Sequence, residues 1–205
     1  MNTVIEGIIL GLSITAPVGP TNIEVIRRGL KEGWKSAFTF CIGVMIALII
    51  YLLLVVFGLS FLTESETFNT ILLVFGVIVL FYLAYGAEKD FFNKKELDLS
   101  GEVNSKKHLI PGIVLTISNP AVLLLWTGIM GANLAATEGT LQKGGLLSLG
   151  ILIGVLIFFI ALTALIHGGR KFITKKNFKY ISLIAGLILF YFGLKFGYQL
   201  IMKFV

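Results

Sequence analysis

Charge is scarce in this chain. Asp, Glu, Lys and Arg make up 14% of its 205 residues, whereas a soluble globular domain carries roughly 25%. Hydrophobic residues reach 57% and mean hydropathy is +0.95, which excludes an ordinary soluble domain and assigns the chain to the membrane class. Cysteine is nearly absent: Cys41 alone permits no intramolecular disulfide and leaves the redox compartment undetermined. Histidine is confined to His108 and His167, both at loop edges. With no His, Cys and carboxylate cluster at metal-ligand spacing, no metal and no cofactor are expected. A Walker A run is missing too, so any transport is expected to draw on an ion gradient. Nothing in the pattern points to an enzyme. The N-terminus has Glu6 in place of a basic n-region and no small-residue cleavage motif, so a cleavable signal peptide is not expected.

What the chain does have is long apolar runs. Runs of about 20 apolar residues mark spanning helices, and they occur at residues 3–26, 37–62, 68–87, 109–134, 146–166 and 180–202. The expected fold is an all-α integral membrane protein with six transmembrane helices. Basic residues are unevenly divided between the connections. Arg27, Arg28, Lys31 and Lys35 follow the first span; Lys89, Lys94, Lys95, Lys106 and Lys107 follow the third; Arg170, Lys171, Lys175, Lys176 and Lys179 follow the fifth. Only Lys143, Lys195 and Lys203 lie elsewhere. The positive-inside rule then puts those three connections in the cytoplasm, beside anionic lipid, and both termini outside. No nucleic-acid partner is expected, because the basic residues are spread over three loops instead of one face. Residues 88–108, with five basic and five acidic side chains, read as a solvated linker between a three-helix unit at 1–87 and another at 109–205.

Proline is also rare, and three of the four prolines interrupt spans. Thr15-Ala16-Pro17-Val18-Gly19-Pro20-Thr21-Asn22 lies in the first span and Asn119-Pro120 in the fourth. Inside a helix each such proline removes a donor and clashes with the preceding turn, at a cost of about 3 kcal/mol or more. Irregular backbone at membrane depth persists only where it is buried in protein or lines a cavity. Interruptions at corresponding places in two halves point to a transporter's substrate site. Pro17, Gly19 and Pro20 are therefore candidate site residues through unwound backbone, the plainer alternative being a kink tolerated by neighbouring helices. Asn119, about 15 Å into its span, either hydrogen-bonds a neighbouring helix or lines the cavity; its place before Pro120 favours the cavity. Asn22 holds a similar position nearer the inner interface. Glu24 is the only acidic residue in the inner part of any span, which marks it for a coupling proton or a substrate ammonium. Arg27 and Arg28, three and four residues on, offer an ion pair as the alternative. Lys195 and Glu6 are expected to reach the interface, and Trp126 and Tyr191 to pack between helices.

The second half repeats the first. Gly7, Leu10 and Ser13 align with Gly112, Leu115 and Ser118; Gly43, Val44, Ile46 and Gly58 with Gly154, Val155, Ile157 and Gly169; Phe68, Ile71 and Gly76 with Phe178, Ile181 and Gly186. Three matched pairs fall in sequence order, and both interruptions lie in the leading helix of a half. A half with three spans enters on one side and leaves on the other, so the expected architecture is a 3+3 inverted repeat with broken first and fourth helices. Gly7-x-x-x-Gly11, Gly150-x-x-x-Gly154 and Gly193-x-x-x-Gly197 are helix-packing spacings, within the chain or across a homodimer.

These motifs resemble a known family. Gly11-Leu12-Ser13-Ile14-Thr15-Ala16-Pro17-Val18-Gly19-Pro20, followed by Ile26-Arg27-Arg28 and Gly33, resembles the first-helix signature of the LysE/RhtB family of amino-acid exporters. Leu115-Thr116-Ile117-Ser118-Asn119-Pro120 followed by Trp126 resembles its second signature, and Phe81-Tyr82-Leu83-Ala84-Tyr85-Gly86 fits its third helix. The resemblance covers essentially the whole chain. It implies a bacterial cytoplasmic-membrane permease exporting amino acids or related small metabolites, coupled to the proton-motive force. It also implies a role for Pro17, Gly19, Pro20, Asn119 and Pro120. One departure stands out: many members carry an acidic residue shortly after the glycine matching Gly43, and here that stretch is Val44-Met45-Ile46-Ala47-Leu48. Two other readings compete with export of amino acids. One is a structural or regulatory membrane subunit with the same fold. The other is a metal-ion exporter, disfavoured because hard cations need clustered oxygen ligands and soft ones several Cys or His.

Overall fold

The computed structural model describes residues 3–16, 19–56, 66–92, 105–119, 122, 126, 141–172 and 174–202. Those residues form seven helices and no strand: α1 (Thr3–Thr15), α2 (Pro20–Glu32), α3 (Trp34–Val56), α4 (Glu66–Phe92), α5 (Ser105–Ile117), α6 (Leu141–Arg170) and α7 (Lys175–Ile201). By length and composition three can cross a membrane, over Trp34–Leu53, Gly144–Arg170 and Asn177–Ile201. The α1–α2 pair makes a fourth crossing if counted as one broken span. The expected third span lies within α4, and α5 covers the start of the expected fourth. Two helices enter the stretch 88–108 that reads as a linker. Helix α4 runs on through Phe92 and α5 starts at Ser105, because charged residues of good helix propensity extend both helices beyond the apolar segment.

The first apolar run is interrupted at its prolines. Helices α1 and α2 meet at 78°. Pro20 is not inside a helix but at the start of α2, where its missing N–H would have had no partner anyway. Pro17 and Pro120 lie outside the described residues. Helix α2 continues to Glu32, six residues past the apolar limit, and ends at Gly33 (φ 95°), whose N–H bonds the Gly29 carbonyl at 3.0 Å. Arg170, at the end of α6, donates Nε to the Leu30 carbonyl and Nη2 to the Lys31 carbonyl, each at 3.1 Å. The orphan carbonyls at this end of α2 are thereby met by a charged donor.

Glycines set the helix contacts. On α1, Gly7 and Gly11 face Gly150 and Gly154 of α6 so closely that a Cβ on any of the four would strike the opposite backbone. Gly43 of α3 and Gly112 of α5 meet in the same way. Phe81 of α4 packs edge-on against Phe190 of α7 at 5.3 Å and also fills the space above Gly193. Helix α2, the most polar of the seven, sits among α3, α5, α6 and α7. Apolar side chains such as Ile78, Leu165 and Ile184 point outward, as a bilayer-facing surface requires. Tyr191 is 60% exposed among them, contrary to the expectation that it packs between helices. In an evenly apolar helix no polar face reveals which side is outward.

Candidate functional site

Three helix ends converge. Helix α1 stops at Thr15, α2 starts at Pro20, and α5 stops at Ile117 with Ser118 in a turn and Asn119 beyond it. Between them lies a cavity of about 180 Å³. Ile14 and Thr15 line it from α1, Gly19 to Asn22 from the start of α2, and Thr116 and Asn119 from the end of α5. Its apolar walls are Val44 and Leu48 of α3, Val155 and Phe159 of α6, and Val122 and Trp126. Among the described residues no charged side chain lines it.

Polar satisfaction explains how the breaks survive. An unpaired carbonyl in an apolar interior costs several kcal/mol. The Asn22 side chain answers this by donating Nδ2 to the Thr15 carbonyl at 2.8 Å, clasping the end of α1 to the start of α2. Tyr51, from α3, donates its hydroxyl to the Ile117 carbonyl at 2.5 Å. Asn119 bonds through its N–H to the Thr116 carbonyl at 3.2 Å, and its own carbonyl accepts from Val122 N–H at 3.1 Å. Gly19, which precedes α2, is extended (φ −122°, ψ −176°) and has no side chain with which to cap the helix.

The cavity brings together Gly19, Pro20, Asn22 and Asn119 of the sequence-derived candidates. It also recruits Trp126, buried and lining it instead of packing only between helices. Glu24 is not in the lining. It is fully buried one turn below, with Oε1 2.7 Å from Arg27 Nη2 and Oε2 2.9 Å from Arg27 Nε. Arg28 Nε lies 2.7 Å from the same Oε1, a charge contact whose N–H is not aimed as a hydrogen bond. The ion pair offered by the i+3 and i+4 spacing is thus the arrangement adopted.

That pair continues across the molecule. Arg28 Nη1 lies 3.0 Å from His108 Nδ1 and 3.2 Å from the Lys107 carbonyl. His108 Nε2 lies 3.1 Å from Glu32 Oε2, which Lys107 Nζ also reaches at 3.0 Å. His108 is therefore not at a loop edge but buried within α5, bridging α5 to α2. No spacing rule finds this network, since Arg28 and His108 are 80 residues apart. The α3 and α6 linings, at 44/48 and 155/159, do follow i, i+4 spacing, yet in wholly apolar helices nothing marks that face out.

No solved structure matches the chain. A protein of Bacillus subtilis (strain 168) named "Putative amino acid efflux protein YcgF" is 36% identical over 202 residues, covering 97% of each chain. The family profile described as LysE type translocator matches residues 12–200, a stretch that holds every residue lining the cavity. The chain belongs to the LysE type translocator family.

Proposed function

We propose that this membrane protein exports amino acids or related small metabolites across the bacterial cytoplasmic membrane, driven by the proton gradient, with the cavity as its substrate site. One observation carries the substrate class: the polarity of the helix ends around a cavity whose described lining holds no charged side chain. Helix α2 begins there, so its partial positive charge of roughly half an elementary unit faces inward; α1 and α5 end there with the opposite sign. The start of α2, where that partial charge is positive, suits a carboxylate. The carbonyl of Thr15, with a second lone pair, suits an ammonium. A zwitterion fits both, Asn22, Asn119 and the three lining threonines supplying hydrogen bonds and the apolar walls taking the side chain. The name of the B. subtilis relative agrees with this class. Proton coupling fits a chain without a nucleotide-binding motif.

The test is the amino-acid content of medium and cytosol after dipeptide loading of cells that carry wild type, Asn119→Ala or empty vector. Wild type should excrete a particular amino acid, and an uncoupler should abolish the excess. Asn119→Ala, at equal membrane level, should lose about tenfold or more, the equivalent of about 1.5–3 kcal/mol for a hydrogen bond to a charged group. Equal excretion by all three would overturn export and leave a non-transporting subunit.

We assign an inverted 3+3 arrangement, with units 1–87 and 109–205 and both termini outside. Its support is the pairing of helices. Exchanging the halves turns the α1–α6 contact, built on Gly7, Gly11, Gly150 and Gly154, into the α3–α5 contact built on Gly43 and Gly112, and returns α4–α7 to itself. Single cysteines placed beside Met1 and Val205 in a Cys41→Ser background should react with a membrane-impermeant maleimide on intact cells. Labelling only after lysis would place the termini inside.

A further inference from the structure

A second, larger cleft of about 540 Å³ opens between α2, α4 and α5, at the end of the bundle that carries the basic connections. Among the described residues its wall holds five cations, Arg27, Arg28, Lys31, Lys89 and Lys107, and one carboxylate, Glu32. That carboxylate is already engaged by Lys107 and His108, and the buried Glu24 behind the wall by Arg27 and Arg28. Such a concave surplus of positive charge favours an anion. Arg27, Arg28 and Lys31 belong to the helix that starts at the substrate cavity, but none of the five lines that cavity.

The outer face of α4 says what kind of anion. Ile71, Phe75, Ile78, Tyr82, Tyr85, Lys89 and Phe92 recur at three- and four-residue steps and are all exposed. They form one stripe along the helix. Read toward the basic end, the stripe passes from apolar side chains to two tyrosines and then to a lysine, with Phe92 one turn beyond it. That order is the one by which a helix leaves the hydrocarbon core, crosses the interfacial belt and reaches the phosphate level. Tyr82, Tyr85 and Lys89 are also part of the cleft wall, so the cleft opens sideways at headgroup depth, about 10 Å separating Tyr82 from Lys89 along the axis.

We propose that this cleft binds the phosphate headgroup of an anionic phospholipid, whose acyl chains lie along the Ile71–Ile78 part of the stripe. The shared chemistry is a phosphate held by lysine and arginine; the apolar run leading into the cleft selects lipid over free phosphate. Basic pockets between spanning helices are a recurrent place for such headgroups.

The experiment uses purified full-length protein in neutral detergent and measures dissociation constants by native mass spectrometry. Probes are phosphatidylglycerol, phosphatidylcholine with the same acyl chains, and inorganic phosphate. Phosphatidylglycerol should bind at least about tenfold more tightly than phosphatidylcholine, and excess inorganic phosphate should not displace it. Lys31→Gln/Lys89→Gln should lose about tenfold in phosphatidylglycerol affinity, whereas Lys171→Gln/Lys179→Gln, with the same net charge and outside the cleft wall, should not. If the double variant is not recovered folded, Lys89→Gln alone, on the exposed stripe, should show a smaller loss in the same direction. Equal binding of the two lipids, displacement by phosphate, or equal loss in the control pair would each overturn the proposal. These readouts are independent of substrate, so failure of the export reading would leave them unchanged.

Discussion

Replacing Glu24 by alanine is expected to cost about 3–5 kcal/mol of stability, the penalty for leaving a buried ion pair half made. Arg27 and Arg28 are 6% and 8% exposed, and both direct their charge at the fully buried Glu24 carboxylate. Removing the carboxylate strands two guanidiniums in a site with few alternatives. Arg28 keeps His108, the Lys107 carbonyl and the Phe40 ring, 5.1 Å away, but none of these is an anion. Against a total stability of about 5–15 kcal/mol the loss is large. It should appear as a lower unfolding midpoint in detergent and reduced protein in the membrane. Glu24→Leu combined with Arg27→Leu should cost less than the sum of the single changes by about 1–3 kcal/mol, since the pair is removed together. Additive losses would mean that Glu24 and Arg27 do not stabilise one another. The variant separates structure from transport: a purely coupling role would slow export at unchanged stability.

The network around Glu24 also marks how far the sequence could be read. Residues close in the chain declared themselves. Glu24 with Arg27 and Arg28, the break before Pro20, and the glycines of α1 and α6 are all local spacings whose geometry a helix fixes. The pairing of Asn22 with Asn119 around one cavity followed from the matched interruptions, because a break at membrane depth needs a protein or cavity environment. Long-range partners were silent. Tyr51 reaching the Ile117 carbonyl, Arg170 capping α2, and His108 joining Arg28 to Glu32 each depend on which faces of distant helices meet. In helices apolar all round, hydrophobicity does not specify that choice. Trp126 and Tyr191 illustrate the point, one turned into the cavity and the other outward.

Filling the cavity should stop export without unfolding the protein. Val155 is 2% exposed on α6 and its side chain forms part of the cavity wall. In a close-packed core, valine to phenylalanine would overpack, at about 1–3 kcal/mol. Here the added ring has an empty volume of about 180 Å³ to enter, so strain is relieved by occupying the proposed substrate space. Val155→Phe should therefore keep the unfolding midpoint and membrane level near wild type while amino-acid efflux falls to the level of cells without the protein. The reverse change, Val155→Ala, enlarges the same wall. A side-chain pocket discriminates by about 1–3 kcal/mol per methylene, so this variant should shift efflux toward bulkier amino acids instead of abolishing it. The two changes at one position make opposite demands on a single site. If Val155→Phe exported as well as wild type, the substrate would have to pass elsewhere, and the convergence of α1, α2 and α5 would be only a well-satisfied break in the bundle.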